Sequence, residues 1–159
     1  MSKSKDKTNV MRFLDKKNIQ YIPYTYETDG NLTGVDVANI LKKDVATVFK
    51  TLVTQGKSNE HYVFVIPVSK ELNLKKASKA VGEKSIAMVK SKELLDLTGY
   101  IHGGCSPIGM KKFFKTTFDI SAKNLETITF SAGKIGYQVE LSMKDLEKII
   151  DYKFFDLCD

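Results

Sequence analysis

A lysine inside an apolar strand is the first residue whose type and position suggest chemistry. Lys50 stands in the run Val48-Phe49-Lys50-Thr51-Leu52-Val53. Strand side chains alternate, so Lys50 shares a face with Val48 and Leu52 while Phe49, Thr51 and Val53 take the other. Two readings stay open. An edge lysine discourages unwanted strand pairing. A lysine aimed into a cavity suits gripping a phosphate or a developing oxyanion. The second segment is Gly103-Gly104-Cys105-Ser106-Pro107-Ile108-Gly109. Its glycines let backbone approach a ligand closely, and exposed N–H groups there can form an anion nest. A tight structural turn is the competing reading. It is not a dinucleotide fingerprint, because the glycine spacing and the strand–loop–helix context are wrong.

Cys105 lies in that loop, where a thiolate near backbone N–H groups could act as a nucleophile. Its base would have to be one of two histidines, His61 or His102. No third group is placed to orient either, so an unreactive, partly buried cysteine is the favoured reading. The third segment runs from Thr129 to Glu140. Small residues at a hairpin can wall a pocket, and the Ser131 hydroxyl can hydrogen-bond a substrate. An ordinary turn carried by Gly133 and Gly136 is the alternative.

Several signatures are missing. Gly56-Lys57-Ser58 lacks the earlier glycine of a phosphate-binding loop. Two histidines and two scattered cysteines have no metal-ligand spacing, so neither metal nor cofactor is expected. Lys75, Lys76 and Lys79, and separately Lys111, Lys112 and Lys115, form basic clusters that suit either solvent or an RNA backbone.

Composition narrows the class. The chain has 159 residues, 42% hydrophobic, which suits one domain with its own core. Its net charge of +6 is compatible with a polyanionic partner such as RNA. Cys105 and Cys158 are too few for a disulfide framework. With no long apolar run and a polar, charged start, a membrane span and a secretory leader are not expected, and the cytoplasm is the expected location.

Elements to position these residues follow from pattern. Residues 1–8 read as a flexible N-terminal tip and residues 9–159 as a single domain. Val10, Met11, Phe13 and Leu14 predict a helix ending near Asn18. QYIPYTYE predicts a strand that Pro23 confines to an edge or bulge. Thr33 and Asp36 predict a capping box before Val37, Ile40 and Leu41. VFKTLVTQ and HYVFVIPV predict two strands joined by GKSNE. Asn73 caps a helix with Leu74, Ala77 and Val81 inward, stopped by Gly82. IAMV predicts a strand, and Ser91 is expected to cap the next helix. TFDI, TITFS and IGYQVEL predict strands. Ser142 and Asp145 start a helix burying Met143, Leu146, Ile149 and Ile150, and YKFFDL a last strand. Short strands with helices between and around them favour a mixed α/β (α+β-like) fold with a barrel-like sheet.

Taken together, the motifs Thr25-Tyr26-Glu27, Phe49-Lys50-Thr51-Leu52, the Pro67 strand, Asn73-Leu74-Lys75-Lys76, Gly99-Tyr100 through Gly109, and Ser131 through Leu141 resemble the YbaK family of free-standing deacylases. That family is related to the editing domain inserted in bacterial prolyl-tRNA synthetases. The resemblance runs from about Val10 to Leu157. It implies a barrel-like mixed fold with a pocket for the aminoacyl end of tRNA, and hydrolysis of the ester joining amino acid to terminal ribose. It implies that Lys50 positions the terminal phosphate and ribose, that Tyr26, Gly103 and Ser131 shape the acyl site, and that backbone N–H groups near Gly103 and Gly104 stabilise the oxyanion. Thr51 and Gly104-Cys105-Ser106-Pro107 resemble the cysteine-specific branch, in which the position of Cys105 is usually aliphatic. Thr51, Ser106 and Gln138 are accordingly expected on the substrate side.

Gln138 is a departure, standing where close relatives carry an aspartate. In the mechanism the resemblance implies, the substrate's own thiol attacks its carbonyl, and Gln138 can still orient the amino group. The expected activity is deacylation of mischarged Cys-tRNA(Pro), with Cys-tRNA(Cys) as a further substrate and prolyl-tRNA synthetase as a partner. Deacylation of Ala-tRNA(Pro) or of another small mischarged amino acid, and a non-catalytic tRNA-binding module, are the rival readings.

Overall fold

The run His61–Pro67 has no polar face, and the computed structural model, which describes residues 7–159, shows why. It is the middle strand of a five-stranded sheet and is covered on both sides. Val63 and Val65 point into the main core with Phe49, Val53 and Phe118. Tyr62, Phe64 and Ile66 face a second cluster containing Ala77, Ala80 and Leu157.

The elements run α1 (Asn9–Lys16), β1 (Ile22–Thr25), α2 (Gly34–Ile40), β2 (Phe49–Gly56), β3 (His61–Pro67), α3 (Leu74–Val81), β4 (Ile86–Met88), α4 (Ser91–Thr98), β5 (Lys115–Asp119), β6 (Thr127–Ser131), β7 (Tyr137–Ser142), α5 (Met143–Leu146) and β8 (Tyr152–Phe155). The large sheet has order β4-β2-β3-β5-β8, and the small one β1-β7-β6. β2 and β3 form an antiparallel hairpin, whereas β5 pairs parallel with both β3 and β8. The mixed α/β class is therefore as expected. The expected barrel is not closed: among the described residues the two sheets share one isolated parallel bridge, Val48 with Thr129. Apolar side chains fill the rest of the junction.

Local chemistry sets most boundaries. The Thr8 hydroxyl accepts from the Met11 N–H and caps α1, whose buried stripe is Val10, Met11 and Leu14. Of the tip expected over residues 1–8, residues 1–6 lie outside the described chain. The capping box at α2 forms in both directions, at 3.1 and 3.0 Å. Pro23 sits on β1, an edge strand that pairs with β7 alone.

Three details differ from the pattern. Ile40 and Leu74, expected inward, are exposed; Ala38 packs with Val48 and Val68 instead, and Ala77, inward as expected, packs with the second cluster. Lys90, not Ser91, occupies the cap of α4 and makes no side-chain cap bond. The last ladder bond of that segment, Val89 N–H to Val53 O, releases the chain at Lys90, so the helix begins one residue early. Regular helix in α5 stops at Leu146, although Ile149 and Ile150 still pack on the core through the turn that follows.

Candidate active site

Between the two sheets lies a cavity of about 610 Å³. Its walls are β2 from Val48 to Val53, the start of α2, the β4–α4 junction, the loop through His102, Gly103 and Cys105, and residues around β1, β6 and β7. Of the residues expected at the site, Tyr26, Lys50, Thr51, Gly103, Ser131 and Gln138 all line it.

Ladder register assembles one wall. Ser131 on β6 pairs with Gln138 on β7, and Tyr24 on β1 pairs with Gln138 from the other side. Tyr26 follows directly, its N–H bonded to Gly136 O at 3.0 Å. Gly136 adopts φ +95°, and a Cβ there would stand 3.1 Å from the Tyr26 carbonyl oxygen, so glycine is what lets the two segments close.

Farther along the same face of β7, Glu140 ties the small sheet together. It accepts from Tyr24 on β1 at 2.7 Å and Thr127 on β6 at 2.6 Å, and pairs with Lys43 at 2.8 Å. Burial alone pushes this carboxyl up. The hydrogen bonds from Lys43, Thr127 and Tyr24 outweigh it and hold it down at about 2.

The opposite wall carries Lys50. Its side chain is 31% exposed, and its nearest anion is Glu71 at 3.9 Å, a side chain itself 96% exposed. So loose a pair leaves the ammonium available to an incoming anion. Next to it, the Thr51 hydroxyl oxygen is buried without a hydrogen-bond partner, and so is Gln138 Oε1 across the cavity. Buried polar atoms are nearly always partnered, and leaving one unpaired costs about 1–3 kcal/mol. Two such atoms on one cavity form a receptor for a polar ligand. Ser131 Oγ accepts from the Gly133 N–H at 3.1 Å, which leaves its own proton to donate.

Two expected residues fall elsewhere. The Gly104 N–H is committed to Ile101 O at 3.0 Å, and its Cα packs on the Lys134–Ile135 backbone. It is therefore not offered to an oxyanion, whereas the Gly103 N–H has no partner among the described residues. Ser106 is fully buried off the cavity, accepting from the Ile108 N–H at 3.3 Å. Its hydroxyl shapes the loop, as does Tyr100, which donates to Ile108 O.

Cys105 lines the cavity but is 8% exposed. Burial pushes its thiol up to about 12, which disfavours the nucleophilic thiolate at neutral pH. His61 packs edge-on against Phe114 and is not a lining residue, nor is any member of the two lysine clusters. Thr28, Thr33, Gly34, Ser91 and His102 also line the cavity. Sequence reading assigned Thr33 and Ser91 to helix starts and did not connect them to a site.

A mixed fold with this cavity on the lysine strand defines an aminoacyl-tRNA editing domain. The model of that family matches residues 30–149, and the chain belongs to it. EbsC of Enterococcus faecalis, provisionally named a Cys-tRNA(Pro)/Cys-tRNA(Cys) deacylase, is 40% identical over 98% of this chain and 95% of its own. The proline–tRNA ligase of Kosmotoga olearia is 30% identical over 70% of this chain and 19% of that enzyme. The fold is shared with a crystal structure described as a candidate trans-editing enzyme for prolyl-tRNA synthetase, at TM-score 0.80 and 20% identity over 94% of both chains.

Proposed function

We propose that this chain is a trans-editing deacylase that hydrolyses the ester of Cys-tRNA(Pro), and of Cys-tRNA(Cys). The observation that carries this reading is that Lys50 and two unpartnered buried polar atoms, Thr51 Oγ1 and Gln138 Oε1, border one cavity, Lys50 and Thr51 from opposite faces of β2. The likeness to EbsC supports the substrate.

Lys50 at the mouth holds the phosphate and ribose of the terminal nucleotide. Tyr26 and Ser131 shape the acyl pocket, Thr51 and Gln138 bind the acyl group, and the Gly103 N–H faces the carbonyl oxygen. The nucleophile comes from the substrate. The Cys105 thiol is held protonated, and among the described residues Ser131 has no hydrogen-bonded histidine to activate it. As the resemblance to the deacylase family implies, the substrate sulfur bonds to its own carbonyl carbon as the carbon–oxygen bond to ribose breaks. The ribose oxygen takes up the thiol proton, and water then opens the cyclic thioester to free cysteine. Holding thiol and carbonyl in this geometry is the protein's main contribution.

Prolyl-tRNA synthetase is the proposed partner and the cytoplasm the proposed location. A matching segment inside a proline–tRNA ligase supports the first. Among the described residues no helix is long and apolar enough to cross a membrane. The test is to follow ester loss from Cys-tRNA(Pro) and Ala-tRNA(Pro) with the wild type and Lys50→Ala. Lys50-dependent loss of cysteine supports the reading. Equal or faster loss of alanine moves the substrate to the smaller residue. Intact esters with both move the function to tRNA binding without catalysis, which the uncharged Gln138 favours.

A further inference from the structure

Charge in the cavity is one-sided. Its lining residues include Lys50 and no aspartate or glutamate. Gln138 is 7% exposed, and its Oε1 has no partner. The acyl group of an aminoacyl ester carries an amino group, either as an ammonium or as a neutral amine. An ammonium placed here would lose its water and find in return only neutral dipoles, with Lys50 paired to the phosphate and no carboxylate on the lining. A neutral amine would donate one N–H to Oε1 and give up far less hydration. We infer that this site takes the acyl group with its amino group uncharged, and that Gln138 sets this preference. The inference rests on the deacylase reading for its substrate class.

The surroundings of Gln138 agree. On its own strand, Glu140 lies on the same face, but its charge is matched by Lys43 and tied to Tyr24 and Thr127. From the β1 side come Tyr24 and Tyr26, and from the β6 side Ser131. The loop that closes the cavity contributes His102 and Cys105, whose thiol burial keeps neutral. None of these supplies an unmatched negative charge.

The test uses stable analogues without a titrating thiol, 3′-amide-linked 2-aminobutyryl adenosine monophosphate, in which a methyl replaces the cysteine thiol, and its counterpart lacking the amino group. Binding to each is measured by calorimetry from pH 6.5 to 8.5. An α-amino group titrates near about 7.7–8.0, so the neutral fraction grows about 15- to 25-fold over this range. The ratio of the two affinities cancels every titration except that of the amine. It should rise by the same factor, roughly 15- to 25-fold, with pH in the wild type. It should be several-fold lower at pH 8.5 in Gln138→Leu, which lacks the acceptor, and fall with pH in Gln138→Glu. Retained binding of the desamino analogue by Gln138→Leu shows that the variant is folded. A wild-type ratio that is flat or falls with pH, or that Gln138→Leu leaves unchanged, overturns the inference, as does failure to bind either analogue. Ester hydrolysis plays no part in this readout, so loss of the deacylase reading would show separately, as intact Cys-tRNA.

Discussion

Replacing Glu140 with Gln should remove a block of acid-dependent stability whose size can be worked from the site. The carboxyl releases its proton at about 2 instead of 4.5. At about 1.4 kcal/mol per pH unit, that amounts to roughly 3 kcal/mol. Both partners of the pair are less than one-fifth exposed, so solvent screening leaves much of this intact. The sign follows from the depressed value. The stabilisation is complete above the unfolded carboxyl's range, near 4.5, and drains away as pH falls toward 2. The variant should therefore be roughly 3 kcal/mol less stable than wild type at pH 6. That is a loss of about 6–12 °C in Tm for a chain of this size. At pH 2.5 the difference should shrink below about 1 kcal/mol. Urea titrations of both proteins at half-unit pH intervals measure it, and other carboxylates cancel in the difference. A difference that stays constant from pH 6 to 2.5 would refute the assignment, because the lost stability would then not come from the ionised carboxylate. The site should suffer too, since the same carboxylate fixes the strands that place Tyr26, Ser131 and Gln138.

Lys50→Ala should lower deacylation by about 10²–10³-fold with little change in Tm, if lost electrostatic positioning is the cause; an unimpaired variant removes Lys50 from the mechanism. Thr51→Val keeps the shape and deletes an unpartnered buried hydroxyl. It should stabilise the fold by about 1 kcal/mol while weakening turnover, and faster turnover would argue against a substrate role for Thr51. Cys105→Val should leave activity within about twofold of wild type at neutral pH, given the protonated thiol. Complete loss would restore the cysteine as nucleophile. Gly34→Ala sets a Cβ 2.5 Å from Val68 Cγ1. It should cost about 1–3 kcal/mol in a thermal or urea melt, and an unchanged midpoint would mean α2 shifts freely.

What could be read in the chain beforehand was whatever is decided within a few residues. The Thr33–Asp36 box, the Asn73 cap, the β2–β3 hairpin and the edge position of Pro23 all rest on local hydrogen bonds or on a missing N–H. What could not be read depends on distant partners. Ile40 and Leu74 have core-like side chains on the right helices, yet the faces that meet the sheet and its neighbours carry Ala38 and Ala77. Gly104 and Ser106 sit in a loop rich in site-forming residues. Their polar groups are used by Ile101 and Ile108, and no spacing rule announces that. Nothing local foretold that the strands divide into two sheets. The most informative features, the orphaned oxygens of Thr51 and Gln138, are defined by the absence of a partner and become visible in three dimensions alone.

The junction of the two sheets has a mechanical consequence. Among the described residues Val48 and Thr129 make the one backbone bridge between them, and a single apolar core spans the rest. Phe49 and Val53 of the large sheet share that core with Phe130 and Val139 of the small one. Close-packed interiors transmit strain, so the spacing of the cavity walls is set by the bulk of these side chains. Shortening one of them should change the shape of the cavity before it changes the register of either sheet, which the continuous ladders hold.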